Sequence, residues 1–306
     1  MSPVSDPALV ALLADTRLAL CRPPSGVTLE QYRRAANAFM ARAPASEDCQ
    51  SIDLLIETPA APVKVRLVRP VVDGRLPAIL FVHGGGFIFG SLDSHQAMAC
   101  SLAIAATAMI VSVDYRLAPE HPCPAALDDV AAVLDWLLRQ GATHGIDPSR
   151  VAIAGDSAGG LIAASVALRA CSGGRLRHLG LFYPLLDPLR SSASATAYAE
   201  GFMLTAEFID WAWQAYGGDG GIAAIPLLDG PLGALPPTTI VTAQFDPLRD
   251  EGEALANCLR EQGVDVDYRC FAGMIHGFAG LPHVVPKVAG EAIDWIGRRI
   301  GASLTA

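Results

Sequence analysis

Short runs of apolar residues recur along the chain from about residue 50, and longer stretches with a helical apolar spacing separate most of them. A short continuous apolar run is typical of a strand buried on both faces, whereas apolar positions three and four residues apart predict a helix. Alternation of the two predicts an α/β fold with a mostly parallel eight-stranded sheet flanked by helices. The predicted strands are 52–57, 63–68, 78–82, 109–113, 151–154, 178–183, 239–242 and 264–271, the first two forming a hairpin.

Two parts of the chain depart from this alternation. Residues 1–45 contain two predicted helices, over 6–20 and from Thr28 to about residue 42, the second with a capping box formed by Thr28 and Gln31. Residues 191–226 contain no predicted strand and one aromatic-rich helix over 205–216. An insertion after a parallel strand lies at the carboxyl edge of the sheet, where ligands bind in such folds.

The chain is therefore predicted to combine a core with a helical cap. The expected divisions are 1–45, cap helices; 46–190, core; 191–226, second cap segment; and 227–306, core continued. The remaining predicted helices are 125–140, 158–171, 248–262 and 285–299, and the uncharged run 96–113 is interpreted as a buried helix leading into a buried strand rather than a membrane span.

Composition narrows the possible functions. With 52% apolar and 17% charged residues among 306, the chain can bury a large core. Its formal charge of −9 makes nucleic acid a poor partner, because an acidic surface repels phosphate. The lysines are Lys64 and Lys287, and neither follows a glycine, which excludes the Gly-Lys pair of a P-loop.

The cysteines and the amino terminus bear on the compartment. Seven cysteines are scattered without a Cys-x-x-Cys pair, a pattern that favours free thiols in a reducing compartment over a disulfide framework or a zinc site. Residues 1–20 carry two aspartates and no basic start before an apolar stretch, so they do not resemble a signal peptide. We expect a cytoplasmic protein without a membrane partner.

Two glycine-rich motifs follow predicted strands. Gly155–Gly160 reads Gly-Asp-Ser-Ala-Gly-Gly, with Ser157 between a strand and a helix, the context in which a sharp turn exposes a nucleophilic hydroxyl. His83–Phe87 reads His-Gly-Gly-Gly-Phe and follows the strand at 78–82; consecutive glycines allow backbone N–H groups to point into an oxyanion hole. We expect His83 and Gly84 to support this loop rather than to transfer protons.

The partners of a nucleophilic serine should follow it in the order acid, then histidine. Asp246 lies just after the strand at 239–242, and His276 lies just after the strand at 264–271. Because parallel strands place their carboxyl ends at one edge, Ser157, Asp246 and His276 should meet as a catalytic triad. Asp250 is the rival acid, but its place at the start of a helix favours a capping role.

At this point the chain resembles the hormone-sensitive-lipase-like family of α/β-hydrolases, whose bacterial members are carboxylesterases. The resemblance extends from about residue 50 to 300 and rests on 83–87, 114–120 (Asp-Tyr-Arg-Leu-Ala-Pro-Glu), 155–160, 246–252 and 273–278. It implies an α/β-hydrolase fold and a serine esterase for short- to medium-chain acyl esters, with the oxyanion bound by the N–H groups of Gly85, Gly86 and Ala158. It also implies a possible homodimer through the last strand.

The expected chemistry is acyl transfer to Ser157 and hydrolysis of the acyl-enzyme, with a small-molecule ester as partner and no metal or other cofactor. An amidase, arylformamidase or lactonase could use the same triad, and a non-catalytic receptor could keep the fold. The residues expected to line the substrate pocket are Phe87, Met203, Phe208 and Trp211, although helical spacing near Trp211 also fits ordinary packing.

Overall fold

The fold is built on one eight-stranded sheet. The computed structural model describes residues 4–15, 18–170, 174–221 and 231–305. The strands follow one another across the sheet in the order β1-β2-β4-β3-β5-β6-β7-β8. Their bounds are β1 Cys49–Ile56, β2 Val63–Pro70, β3 Leu76–Val82, β4 Met109–Asp114, β5 Ile146–Asp156, β6 Leu179–Phe182, β7 Thr238–Phe245 and β8 Val266–Ile275.

The sheet is mostly parallel, as the sequence predicts. Among the described strands, β2 alone runs in the opposite direction to the rest, and it pairs antiparallel with β1 and with β4. The pairs from β4 through β8 are all parallel, so the carboxyl ends of β3, β5, β7 and β8 lie at the same edge. Fold class and the amino-terminal hairpin are both confirmed.

Continuous apolar strands are required because both faces of the sheet are covered. In β3, Leu80 and Val82 belong to one buried cluster, together with side chains of the helices that cover that face, whereas Ile79 and Phe81 belong to the other. Alternate residues of a strand point to opposite faces, so a strand buried on both sides must be apolar at every position. An unbroken run of apolar residues therefore indicates a strand in the centre of the sheet.

Helices cover both faces and the carboxyl edge. Their bounds are α1 Pro7–Ala14, α2 Leu29–Met40, α3 Gln96–Ala106, α4 Ala125–Gln140, α5 Ala158–Ala170, α6 Ala193–Ala197, α7 Ala206–Gly217, α8 Arg249–Glu261 and α9 Pro286–Thr305. Side chains of α3 and α9 share one cluster, and those of α4, α5 and α8 share the other. We call α1, α2, α6 and α7 the covering helices.

The prediction for the first helix is wrong in extent. The helix ends at Ala14, and Leu20 instead forms a bridge to the segment before α7, where its N–H donates to the carbonyl of Met203. A tertiary backbone hydrogen bond has replaced the helical one, which a periodicity argument cannot anticipate. The predicted helix end at 171 and residues 222–226 of the second cap segment lie outside the described residues.

The starts of the covering helices follow their capping residues. Thr28 and Gln31 form the predicted capping box of α2, since each side chain accepts a backbone N–H of the other residue. The hydroxyl of Thr205 accepts the N–H of Phe208 at the start of α7, and Gly218, with φ of 57°, ends that helix. The short helix α6 was not predicted.

Candidate functional site

Ser157 lies at the turn between β5 and α5. Its φ is +53°, in the left-handed region that side chains other than glycine rarely adopt. The flanking glycines make the turn possible, because a Cβ on Gly155 would lie 2.3 Å from the carbonyl oxygen of Gly159, and a Cβ on Gly159 would lie 2.2 Å from that of Val82. Ser157 thus stands at the carboxyl edge of the sheet on a strained, closely packed turn.

The side chains of Asp246, His276 and Ser157 form a continuous line of hydrogen bonds. Nε2 of His276 lies 2.9 Å from Oγ of Ser157, and Nδ1 of His276 lies 2.8 Å from Oδ2 of Asp246. Asp246 is fully buried, and its Oδ1 accepts the N–H of Leu248. A carboxylate at Nδ1 places the ring proton there, so Nε2 carries the lone pair that faces the serine hydroxyl.

The rival carboxylate points elsewhere. Asp250 accepts the N–H of Ser194 at 2.7 Å and the Nε–H of Arg249 at 2.7 Å. Partial burial tends to raise the pKa of Asp250, but these donors outweigh it and hold the pKa below its ordinary value. The structure brings Asp246 to His276, whereas Asp250 joins α8 to α6.

The glycine loop lies beside Ser157 with free N–H groups. Gly85 and Gly86 line the same cavity as Ser157, and no acceptor among the described residues takes their N–H groups. Gly85 has a φ of +117°, and a Cβ there would lie 2.2 Å from the carbonyl oxygen of Phe89. Ala158 is the first residue of α5, so its N–H has no partner within the helix. The N–H groups of Gly85, Gly86 and Ala158 are therefore suited to donating hydrogen bonds to an oxyanion.

His83 and Gly84 fix the backbone of this loop through hydrogen bonds. Burial lowers the pKa of His83 to about 3, so the ring is neutral and its Nδ1–H donates to the carbonyl of Gly84 at 2.8 Å. Tyr115 stacks on the His83 ring at 4.3 Å and donates its hydroxyl proton to the His83 carbonyl. The N–H of Gly84 donates to Asp156 at 2.8 Å. Both residues therefore make contacts that hold the backbone of the glycine loop in place.

A small, mainly apolar cavity opens above Ser157. Its volume is about 50 Å³. Its walls come from both the sheet edge and the covering helices: Leu20, Met40, Gly85, Gly86, Phe89, His95, Asp156, Ser157, Tyr183, Met203, Leu204, Phe208, His276 and Gly277. Met203 and Phe208 were expected in the pocket and line it.

The other two expected pocket residues do not line this cavity. Phe87 is buried and stacks on Tyr216 of α7 with ring centroids 3.9 Å apart, so it packs between the loop and the helix. Trp211 packs edge-on against Tyr32 at 5.6 Å and against Phe208 at 5.8 Å. Ring packing between α2 and α7 accounts for Trp211, in line with its helical spacing.

Sequence reasoning missed most of the cavity wall. Leu20, Met40 and Leu204 reach it because the segment between α1 and α2, the end of α2 and the segment before α7 meet above Ser157. Asp156 and Gly277 lie within motifs, and Phe89 and Tyr183 lie just beyond a motif or strand at the carboxyl edge, so these four had a usable signal. The local sequence around an apolar residue in a cap does not indicate which surface its side chain faces.

Two other kinds of site are absent from the described residues. Within the described ranges, no group of three or more His, Cys, Asp or Glu side chains is placed to hold a metal ion. No helix in the same ranges combines the length and the apolar character needed to cross a membrane.

Comparison with known proteins agrees with this geometry. Residues 79–280 match the family described as the alpha/beta hydrolase fold. The chain belongs to the α/β-hydrolase fold family. Carboxylesterase NlhH of Mycobacterium tuberculosis is 42% identical over 229 residues, which cover 72% of each chain. Carboxylic ester hydrolase LipN of the same organism is 40% identical over 243 residues, covering 75% of this chain and 64% of LipN.

A solved structure resembles this α/β-hydrolase along almost its whole length. The thermostable esterase from Pseudomonas putida superposes with a TM-score of 0.90 at 32% identity, covering 99% of both chains. Together with the esterases of M. tuberculosis, it confirms the resemblance to the hormone-sensitive-lipase-like family that the motifs indicate.

Proposed function

We propose that this α/β-hydrolase is a serine carboxylesterase that hydrolyses short- to medium-chain acyl esters. The observation that carries the proposal is the line of hydrogen bonds from Asp246 through His276 to Ser157, next to the free N–H groups of Gly85 and Gly86. A nucleophile, a base, an orienting acid and oxyanion donors are the set that acyl transfer requires.

The first half-reaction acylates the serine. Oγ of Ser157 attacks the ester carbonyl carbon while Nε2 of His276 takes its proton, and Asp246 stabilises the imidazolium that forms. The N–H groups of Gly85, Gly86 and Ala158 bind the oxyanion of the tetrahedral intermediate; loss of one such donor typically costs about 2.7–4 kcal/mol of transition-state stabilisation. The C–O bond to the alcohol then breaks, and His276 gives the proton to the leaving oxygen.

The second half-reaction regenerates the enzyme. Water attacks the acyl carbon as His276 takes its proton, and collapse of the intermediate returns the proton to Oγ of Ser157 with release of the acid. All proton transfers pass through one nitrogen, Nε2, which is why the tautomer set by Asp246 matters.

The size and lining of the cavity support a small ester as substrate. Apolar walls such as Met40, Met203, Leu204 and Phe208, around a volume of about 50 Å³, suit an uncharged acyl chain at the short end of the proposed range. The relatives NlhH and LipN are named as ester hydrolases. The same triad would serve an amidase, arylformamidase or lactonase, but no observation favours one of them.

Hydrolysis of p-nitrophenyl esters from acetyl to long-chain acyl tests the proposal, with matched p-nitroanilides and the Ser157→Ala variant alongside. We expect the rate to peak at short or medium chains, to exceed the anilide rate by far and to vanish in Ser157→Ala. Folded protein without ester hydrolysis, or an active Ser157→Ala variant, would overturn the proposal. Preference for the anilide would make the enzyme an amidase.

Assembly and compartment are further parts of the proposal. A homodimer could form through β8, which is the last strand of the sheet and carries exposed side chains at Asp267, Arg269 and Cys270. The six described cysteines are free thiols, which supports a reducing compartment such as the cytoplasm. Sedimentation velocity tests the dimer: a mass of two chains supports it, and a mass of one chain contradicts it.

A further inference from the structure

A second histidine and a second carboxylate lie beside Ser157, outside the triad. Asp156 directly precedes the serine and is 5% exposed, and its Oδ1 accepts the N–H of Gly84 at 2.8 Å. Its other oxygen, Oδ2, lies 3.5 Å from Nε2 of His95. Both His95 and Asp156 line the cavity above Ser157. The mechanism proposed above uses neither of them.

The contacts of the His95 ring favour a proton on Nε2. A ring nitrogen that faces a buried carboxylate oxygen carries a proton, because two lone pairs would repel each other. Nδ1 of His95 lies 2.8 Å from Oγ of Ser94, a hydroxyl that can donate or accept. The Nε2–H of His95 therefore faces Oδ2 of Asp156. A chain of contacts therefore runs from Ser94 through His95 and Asp156 to Gly84.

The charge on Asp156 depends on this histidine. Burial would raise the pKa of Asp156, but His95 facing it, together with the N–H of Gly84, holds the pKa below its ordinary value. A buried carboxylate that loses its partner is costly and moves or takes up a proton. His95 thus keeps the Asp156 carboxylate ionised and in place.

The glycine loop rests directly on that carboxylate. A Cβ on Gly84 would lie 2.5 Å from Oδ2 of Asp156, so the loop backbone passes over the carboxylate at contact distance. The next two residues, Gly85 and Gly86, offer the free N–H groups. Any displacement of the carboxylate therefore displaces the oxyanion donors.

We propose that His95 is a positioning residue of the oxyanion hole, acting through Asp156 and Gly84. The proposal rests on the proposed esterase function and adds to it a residue that contributes to the rate without joining the triad. Its expected signature is a loss of transition-state stabilisation with little change in substrate binding.

Three variants separate positioning from simple packing. His95→Ala removes the contact to Asp156, and His95→Gln keeps an N–H close to the position of Nε2. His178→Ala is the matched control, since His178 is equally buried and makes two hydrogen bonds, to Thr239 and Ser303, outside the cavity. Circular dichroism and thermal unfolding of each variant report the loss of stability alone.

Two readouts are measured on the folded fraction of each variant. The first is the rate constant for labelling Ser157 with a fluorophosphonate, which needs the nucleophile and the oxyanion hole but no ester substrate. The second is the pair kcat and KM for p-nitrophenyl acetate. Absence of ester turnover in the wild type would therefore refute the esterase function while the labelling rates still test His95.

His95→Ala should lower both the labelling rate and kcat by about tenfold to a hundredfold, the range expected when catalytic groups are misplaced by a fraction of an ångström to an ångström. KM should change little, His95→Gln should recover most of the rate, and His178→Ala should lose stability with kcat and the labelling rate unchanged. Equal rates in His95→Ala and wild type, or an equal loss in His178→Ala, would overturn the proposal.

Discussion

The floor and the cover of the cavity are built in different ways. The floor consists of the turns that follow β3, β5, β7 and β8, and it carries the glycine loop, Ser157, Asp246 and His276. The cover is formed by α2, α7 and the segments that precede them, and it contributes apolar side chains such as Met40 and Met203. Buried strands fix the floor, so we expect the floor to set the chemistry and the cover to set the size and shape of the substrate.

The two regions meet through a few polar contacts. Arg33 of α2 donates to the carbonyls of Ile88 and Ala118 at 2.6 and 2.8 Å, and it also pairs with Glu120. The N–H of Gly90 donates to Asn37 of the same helix at 2.9 Å. The cover therefore also braces the backbone at the end of the glycine loop. Substitutions that affect only one region test this division.

The largest effect is expected in the floor, from Asp246→Asn. An amide at this position leaves the site's shape intact but favours the wrong tautomer of His276, so kcat should fall by about 10⁴-fold, as in other Ser-His-Asp triads. Steady-state hydrolysis of p-nitrophenyl acetate measures it. Asp250→Asn is the matched control, because Asp250 joins α6 to α8. A larger loss of kcat in Asp250→Asn would reverse the assignment of the acid.

The next effect concerns the cover. Met203→Ala should shift the preferred acyl chain to a longer one, because it removes a side chain that lines the cavity. The ratio of kcat/KM for a longer and a shorter ester should rise by about tenfold, the usual size of discrimination by a methylene or two. Met98→Ala, in the core at α3, is the control and should leave the ratio unchanged. An unchanged ratio in Met203→Ala would show that the cover does not determine which acyl chain is preferred.

A smaller effect is expected where cover and floor meet. Arg33→Ala removes the donors to Ile88 and Ala118, so kcat should fall several-fold, less than the about hundredfold expected for an ångström of misplacement. Arg34→Ala serves as control, since Arg34 is exposed and pairs with Glu30 of its own helix. If both variants have the wild-type kcat, the cover does not brace the glycine loop.

The smallest effect on kcat, no change, is expected at His178, which contributes to stability and lies outside both regions. Burial lowers the pKa of His178 from 6.5 to about 4 in the folded state. The unfolded chain therefore binds a proton that the folded chain does not, and the stability contributed by neutral His178 is complete above pH 6.5 and lost as the pH falls toward 4. The expected slope is about 1.4 kcal/mol per pH unit.

Urea unfolding of wild type and His178→Gln at several pH values between 7.5 and 4.5 isolates this slope. The difference between the two free energies of unfolding should shrink as the pH falls. A difference independent of pH would show that His178 is protonated alike in both states. The kcat of His178→Gln should equal that of the wild type, which keeps this effect on stability separate from the chemistry of the floor.

The floor could be predicted from sequence to a degree that the cover could not. Gly155 and Gly159 are needed locally for the turn at Ser157, and strand ends fix where Asp246 and His276 emerge, so short motifs carry the information. Leu20 shows the opposite case: its place depends on a hydrogen bond to Met203, far away in sequence, and it was predicted to be helical. Long-range packing leaves no local pattern.

His95 shows a further limit of sequence reasoning. It follows the glycine loop by several residues, in a segment with no motif of its own, and its meaning appears only when the fold places it 3.5 Å from Asp156. Phe87, by contrast, lies in a motif and was expected in the pocket, yet it packs on Tyr216. A motif therefore predicts where its backbone lies in the fold better than it predicts the direction in which each side chain points.

In the proposed mechanism, Ser157 is a nucleophile that His276 activates. Incubation with a fluorophosphonate followed by peptide mapping in a mass spectrometer tests it most directly. We expect one phosphonyl group per chain, on Ser157, and labelling that is slower by orders of magnitude in a folded His276→Gln variant. Labelling on another residue, no labelling of folded wild type, or equal rates with and without His276 would contradict it.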